Sequence, residues 1–90
     1  MRYVVLYESA EDVAAKAPAH FPAHRARIDS FHERGAILQV GTFADPQSQG
    51  SMAVFPSRAD AEAFVDGDPF VEHGVVRRWE IREWNEILGG

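Results

Sequence analysis

The sequence predicts an α+β fold in which two helices pack on one side of a four-stranded antiparallel sheet. Three observations support this prediction. The chain opens with an apolar run, two stretches with helical spacing are separated by two short β-like runs, and a final run alternates charged with apolar residues. The resulting order, β-α-β-β-α-β, is the ferredoxin-like arrangement for this packing. With 90 residues and no internal repeat or linker, we expect one domain over residues 1–90.

The first strand is predicted at residues 3–7 (YVVLY), which are aromatic, β-branched or apolar. A run of this kind is typical of a strand that is buried on both faces and lies in the middle of a sheet. Residues 9–18 (SAEDVAAKAP) carry charge, alanine and a closing proline without a clean period. They are predicted to form a loop with at most one helical turn.

The first helix is predicted to begin near His20. Pro22 suits the first turn of a helix, where its missing N–H costs little, and Gly35 suits the position just after the last turn. The inward stripe at helical spacing consists of Phe21, His24, Ile28 and Phe31. His24 is therefore expected in the first turn, where the partial positive charge of the helix N-terminus disfavours a protonated imidazole.

Two strands joined by a hairpin loop are predicted next. The first covers residues 36–43 (AILQVGTF), and Gly41 inside it indicates a bulge or the close approach of another group. Residues 45–50 (DPQSQG) have the polar composition, with Pro and Gly, of a hairpin loop. The third strand is predicted at Ser51–Phe55.

The second helix is predicted to follow Ser57. Ser57 and Asp60 resemble a capping box in which Asp replaces Glu, and Gly67 ends the helix. The inward residues of this helix are Ala61, Phe64 and Val65. Residues 70–74 are predicted to form a short connection. Residues 75–84 alternate charged residues with Val, Trp and Ile, as expected of a strand with one solvent-exposed face.

Composition limits the classes of partner. The chain has 14 acidic and 9 basic residues, which argues against nucleic-acid or anionic-membrane binding because both require a cationic surface. The absence of cysteine excludes disulfides, thiolate catalysis and cysteine-ligated metal sites, and it permits a reducing cytoplasm, where we expect the protein. The N-terminal apolar run is too short for a signal peptide or a membrane span.

One face of the predicted sheet has no helix to cover it. Because residues 3–7 are apolar on both sides, we expect this face to pack against a second subunit, since soluble monomers rarely expose large apolar patches. A homodimer is therefore predicted. Trp79 and Trp84 are expected to pack in the sheet and at the interface rather than to form a ligand cage.

Asp68 and His24 are the candidate chemical residues. Pro69 forces the residue before it toward extended backbone, so the Asp68 carboxylate is presented at a sharp break between elements. Histidine is the side chain best suited to exchange protons near neutral pH. Each residue also has a structural interpretation: Asp68-Pro69 is equally typical of a simple turn, and an inward histidine is more often a core residue bonded to a backbone carbonyl.

The other histidines carry weaker signals. His20 and His24 have the four-residue spacing of two metal ligands on one helix face. Pro22 lies between them and no third ligand is evident, so no metal site is predicted. His32 and His73 are expected to be solvated, although His73 could line a pocket.

Four short motifs occur in order along the chain: AHRARI at residues 23–28, GS at 50–51, ADAEA at 59–63 and DPFVEHGV at 68–75. Together they resemble the YciI-like (YCII-related) family over residues 3–84. The resemblance implies a ferredoxin-like protomer that assembles as a dimeric α+β barrel, with an active site at His24 and Asp68. One similar protein type is a dehydrochlorinase of a chlorinated hydroxyhydroquinone, and structural relatives include muconolactone isomerases. The loop at residues 45–50 is shorter than in longer members, which leaves the substrate open.

The first functional hypothesis is a lyase- or isomerase-type enzyme that needs no cofactor and acts on a small aromatic-derived or lactone substrate. His24 would act as general base and Asp68 would orient it. The pocket is expected to be lined by Tyr7, Phe21 and Phe70. Ser51, at the start of a strand, could bond the substrate or cap a turn.

The alternative hypothesis is a non-enzymatic dimeric module that binds a small molecule or a partner protein. The His/Asp pair would then be a structural hydrogen bond, and the site would be filled rather than concave. A monooxygenase without a cofactor is a weaker third hypothesis, because nothing in the sequence marks an oxygen-binding cavity.

Overall fold

The computed structural model describes residues 1–89 as four strands and four helices. In chain order the elements are β1 (Arg2–Ser9), α1 (Val13–Glu33), β2 (Gln39–Thr42), α2 (Pro46–Gln49), β3 (Ser51–Phe55), α3 (Arg58–Gly67), α4 (Pro69–Glu72) and β4 (Val76–Trp84). The two predicted helices correspond to α1 and α3. The helices α2 and α4 are single turns: α2 lies within the predicted hairpin loop at residues 45–50, and α4 begins one residue before the predicted connection at residues 70–74.

The sheet has the strand order β2-β3-β1-β4, and each neighbouring pair is antiparallel. This is the order of a ferredoxin-like sheet, so the predicted fold is confirmed. The strand β1 lies mid-sheet, as its apolar sequence predicts, because it pairs with β3 on one side and with β4 on the other. The strand β3 has the predicted bounds, whereas β2 is shorter than the predicted strand and covers only four residues.

The core lies between one face of the sheet and the helices. Successive residues of a strand point to opposite faces, so Val5 of β1 and its cross-strand partner Ala53 of β3 point to the same side. Both belong to the main apolar cluster, whose other members are Phe31, Ala36, Ile37, Phe55, Ala61, Phe64 and Val65. The opposite face of the sheet carries Val4, Leu6, Met52 and Val54.

Helix α1 begins seven residues earlier than predicted, at Val13 rather than at His20, so the predicted loop at residues 9–18 is wrong for most of its length. Pro18 and Pro22 both lie inside the helix. They are four residues apart and both exposed, so they share the solvent face, where water can hydrate the carbonyls that lose their N–H partners.

His24 is consequently the twelfth of the 21 residues in α1 and not a first-turn residue. The expectation that the helix N-terminus acts on its imidazole is wrong, because the macrodipole effect falls off within the first turn. The inward orientation was predicted correctly, since the His24 residue is only 8% exposed.

Two glycines near the site have different roles. Gly41 pairs regularly with Met52 and forms no bulge, which corrects the expectation from its position inside a strand. Gly50, which precedes β3, has φ 75° and ψ −148°, and a Cβ on it would overlap the Tyr7 carbonyl oxygen. Glycine at position 50 therefore allows β1 and β3 to approach with Tyr7 opposite Ser51.

None of the helices within residues 1–89 is both long enough and apolar enough to span a membrane.

Candidate functional site

Asp68 occupies a fully buried position between α3 and α4. It is the N-cap residue of α4, with extended backbone at φ −71° and ψ 122°, and Pro69 takes the first position of the helix. Its Oδ1 atom accepts a hydrogen bond from the Phe70 N–H at 3.1 Å. The Asp-Pro pair thus has the turn-forming role that the sequence allows, and it also fixes the direction of the carboxylate.

Two further side chains contact the same carboxylate. The Nδ1 atom of His24 lies 2.6 Å from Asp68 Oδ1, and the Tyr7 hydroxyl donates a hydrogen bond of 2.6 Å to Asp68 Oδ2. The contact between positions 24 and 68 joins α1 to the start of α4, and Tyr7 brings in the central strand. A buried carboxylate with three donors is a satisfied group, whereas an unpaired one would be costly.

The donors around Asp68 determine the protonation of the His24 ring. With Asp68 ionised, Nδ1 holds a proton and donates it, so a neutral ring carries its free lone pair on Nε2. Within residues 1–89, every buried side-chain nitrogen and oxygen has a hydrogen-bond partner, yet Nε2 makes no hydrogen bond. It therefore reaches accessible space, which is the position that a general base requires.

Tyr7, which was expected to line the pocket, does not border the main cavity and instead bonds Asp68. Burial raises the pKa of its phenol above the ordinary value of 10, and the negative charge of Asp68 raises this pKa further. The phenol therefore remains a hydroxyl throughout the neutral range and donates to Asp68. Its position on β1 explains the contact, because Tyr7 shares the helix-facing side with Val5. The periodicity of β1 places Tyr7 on that side, but no local signal identifies its partner.

Three phenylalanines surround the His24 ring, and one of them, Phe64, packs edge-on with the centroids 6.3 Å apart. The Phe70 ring stacks on the imidazole, with the centroids 3.8 Å apart and the planes 4° from parallel. The Phe21 ring lies 6.4 Å from both His24 and Phe70, and 49% of this residue is exposed. Phe70 therefore fixes the plane of the imidazole, and Phe21 stands at the edge of the site.

A cavity of about 460 Å³ lies beside this cluster, between α1 and the strand β2. Its lining includes His24, Ile28, Val40, Ser51 and Phe70, together with Phe21. The Ser51 side chain forms no hydrogen bond among the residues described and faces this space. Of the six residues that the sequence indicates for the site, four line this cavity: Phe21, His24, Ser51 and Phe70. The other two, Tyr7 and Asp68, do not border it and are joined to His24 through the Asp68 carboxylate.

The cavity also has a polar rim that the sequence analysis does not identify. Arg25 and Asp29 lie on the cavity side of α1 and form an ion pair, with Arg25 Nε 3.0 Å from Asp29 Oδ1. His32 lines the same cavity. Each of the three follows a residue of the inward stripe, His24, Ile28 or Phe31, by one position, and this spacing was the available signal.

The remaining histidines, His20 and His73, contact each other rather than the pair formed by His24 and Asp68, which we call the dyad. His20 stacks on His73, with the ring centroids 4.1 Å apart and the planes 5° from parallel, so His20 and His24 face different partners. His73 does not line the cavity. Over residues 1–89, no group of three His, Asp or Glu side chains has the arrangement of a metal site.

The comparisons with known proteins agree with this architecture. The model of the YCII-related domain matches residues 1–85. Two relatives named Protein YciI, from Escherichia coli O6:H1 and from Shigella flexneri, are 29% identical over 98 residues, covering 98% of this chain and all of each relative. A solved structure of 5-chloro-2-hydroxyhydroquinone dehydrochlorinase from Burkholderia phenoliruptrix AC1100, in complex with 2,5-dihydroxybenzoquinone, is 19% identical, with a TM-score of 0.72 and 94% of each chain covered. That similarity shows a shared fold.

Proposed function

Because the chain belongs to the family of proteins with a YCII-related domain, we propose that it is a lyase- or isomerase-type enzyme. It uses His24 and Asp68 for general acid–base chemistry on a small aromatic-derived or lactone substrate and needs no cofactor. The proposal rests on one observation above all. The imidazole contacts the Asp68 carboxylate through Nδ1 at 2.6 Å, and its other nitrogen is unpartnered beside a cavity.

In the proposed mechanism, His24 Nε2 accepts a proton from an acidic C–H or O–H bond of the substrate. The electron pair of that bond moves into the substrate, where it either shifts a double bond or expels a chloride ion. In an isomerisation, the imidazolium then returns the proton to a different atom of the substrate, and in an elimination it releases the proton to solvent. Asp68 stabilises the imidazolium and holds its orientation, and general acid–base catalysis of this kind contributes roughly 10²–10⁴-fold to a rate.

The dimensions of the cavity support a single-ring substrate. A volume of about 460 Å³ is at the small end of ligand pockets, and the phenylalanines at positions 21 and 70 offer flat apolar surfaces. The dehydrochlorinase of similar fold was solved with 2,5-dihydroxybenzoquinone, a planar ring with two hydroxyls. A planar enolic or phenolic ring is therefore the substrate class that we propose.

Replacing the dyad tests the proposal. We expect His24→Ala and Asp68→Asn each to reduce turnover by roughly 10²-fold or more, the share that general acid–base catalysis contributes. The assay follows a panel of chlorinated hydroxyquinols and muconolactones by absorbance. His73→Gln is the matched control, because this histidine is exposed and lies outside the cavity. Unchanged turnover in both dyad variants would end the assignment.

One observation favours the non-enzymatic alternative. Asp68 caps α4 and has three hydrogen bonds, as it would in a purely structural role. A binding module predicts that His24→Gln lowers the free energy of unfolding but leaves the affinity for a bound ligand unchanged. The proposed enzyme predicts that this variant loses turnover even where the ligand still binds.

We also propose that the protein is a homodimer in which the two sheets face each other. The face opposite the core carries apolar side chains from both central strands, Val4, Leu6, Met52 and Val54. Sedimentation equilibrium at micromolar concentration is expected to give about twice the 10.0 kDa mass of the chain. As a check on the surface, Leu6→Lys should shift the equilibrium toward the monomer. A wild-type protein that sediments only as a 10.0 kDa species contradicts the dimer.

A further inference from the structure

A second, much smaller recess adjoins the main cavity. Its volume is about 20 Å³, and it shares His24, Val40 and Ser51 with the larger space. Tyr7, Val5 and Ala53 line this recess from the helix-facing side of the sheet, and Phe64 adds an aromatic ring to its wall. Met52 also borders the recess, but its side chain points to the opposite face of the sheet. The recess therefore lies between His24 and the central strands, next to the proposed substrate space.

Three residues with polar side chains, His24, Ser51 and Tyr7, line this recess. The His24 side chain is nine-tenths buried, and its Nε2 atom has no partner within residues 1–89. The Ser51 hydroxyl is also without a partner among these residues. The Tyr7 hydroxyl donates to Asp68 and keeps a lone pair for another donor. Because Tyr7 and Ser51 are cross-strand partners, their side chains stand side by side.

The size of the recess selects its occupant. A cavity needs about 10–15 Å³ of this measure to hold a water molecule, and a buried water needs two to four polar partners. The recess meets both requirements for one water and is too small for an organic ligand. We propose that it holds one water molecule bonded to Ser51 Oγ and His24 Nε2, and that the protein uses this water to hydrolyse small activated esters and lactones.

The inference rests on the proposed role of His24 as general base, but it names a different reaction. The water oxygen attacks the acyl carbon, and the water proton passes to His24 Nε2. The tetrahedral intermediate then breaks its bond to the leaving oxygen, and this oxygen takes the proton from the imidazolium. An ester gives an acid and an alcohol, a lactone gives a hydroxy acid, and His24 returns to its neutral state.

The expected substrates have good leaving groups. One positioned base contributes roughly 10²–10⁴-fold, which suffices for a phenolate leaving group but not for an unactivated alkyl ester. Dihydrocoumarin, an aromatic lactone with a phenolate leaving group, and 4-nitrophenyl acetate are suitable probes. Both have one aromatic ring, in agreement with the size of the adjoining cavity.

Filling the recess is the main test. Ala53 borders the recess but not the main cavity, so Ala53→Val occupies the water position while the larger space remains. We expect this variant to lose hydrolysis of both probes by roughly 10²-fold, the contribution of the positioned base and water. Its proton-transfer activity toward the hydroxyquinol and muconolactone panel should persist. Ser30→Ala, on the exposed side of α1, is the control and should hydrolyse both probes at the wild-type rate.

A second variant and two direct observations complete the test. If Ala53→Val fails to fold, Ser51→Ala removes one water partner without adding volume, and it should also lose hydrolysis. A crystal structure of the wild-type protein should show one water between Ser51 Oγ and His24 Nε2. An empty recess, equal hydrolysis in the wild-type and recess variants, or an acetylated His24 found by mass spectrometry would each overturn the inference.

The two proposals fail in different ways. If the panel of hydroxyquinols and muconolactones shows no turnover but hydrolysis depends on both His24 and the recess, then only the lyase or isomerase proposal is wrong. If the panel is turned over and the esters and lactones are not hydrolysed, then the hydrolytic inference is wrong. Loss of both activities in His24→Ala agrees with a shared base.

Discussion

Replacing Asp68 with alanine is expected to lower the free energy of unfolding by about 3–5 kcal/mol, because several buried donors lose their shared acceptor. The carboxylate is fully buried and accepts hydrogen bonds from Tyr7, His24 and the Phe70 N–H. Alanine would leave these donors without an acceptor, and each unsatisfied buried group costs about 1–3 kcal/mol. The variant would also lose the N-cap of α4, worth about 1 kcal/mol. These costs overlap, so we do not expect their full sum.

Urea denaturation followed by circular dichroism measures this effect. Asp66→Ala is the matched control, because this aspartate is exposed and lies two residues away. It should change stability by no more than about 0.5 kcal/mol, as is usual for surface positions. The loss of stability in Asp68→Asn should lie between those of Asp68→Ala and Asp66→Ala, since asparagine retains the N-cap but cannot accept a hydrogen bond from every donor. A loss below about 1 kcal/mol in Asp68→Ala would show that the donors find other partners or water.

Replacing Gly50 with alanine should be at least as disruptive. The backbone at φ 75° and ψ −148° is one that L-residues rarely adopt, and holding a side chain there costs about 1–3 kcal/mol. In addition, the new methyl group would overlap the carbonyl oxygen of Tyr7, which belongs to the central strand. Relief requires the main chains of β1 and β3 to separate. We expect a total loss above about 3 kcal/mol, or no folded protein.

The chain provides a close control for this substitution. Gly41→Ala lies on the neighbouring strand β2, and its methyl group would meet no atom within 4 Å. We therefore expect Gly41→Ala to fold with a change in stability within about 1 kcal/mol. Both variants are compared by urea denaturation, and the Tyr7–Ser51 register is followed by NMR contacts between the two strands. Equal stability of the two variants would show that Gly50 has no special role.

The fold was predictable because its strongest signals are local. Residues 3–7 indicate a central strand, and the Ser57 cap and Gly67 bound the second helix closely. The start of α1 was not predictable in the same way. Pro22 has the chemistry of a first-turn residue, but the helix continues through it on its exposed side, where water can hydrate the carbonyl that receives no N–H from Pro22.

The site was predictable to a different extent. The helical stripe indicates that His24 faces the interior, and the Asp-Pro dipeptide indicates a turn that presents the Asp68 carboxylate. The family resemblance pairs these two residues. No pattern in the sequence predicts that Tyr7 bonds the same carboxylate, because the two residues are 61 positions apart. The Phe70 stack and the recess beside Ser51 also depend on tertiary packing, which determines the distances between elements that are remote in sequence.

Phe70 couples local unfolding of α4 to the geometry of the dyad. Its main-chain N–H bonds the acid and its ring covers the base, so a single residue restrains both partners. Unwinding the one turn of α4 would remove one restraint on the carboxylate and one on the imidazole at the same time. The two residues of the dyad are thus expected to become ordered or disordered together. The fraction of molecules in which this helical turn is formed then determines the fraction that is competent for proton transfer.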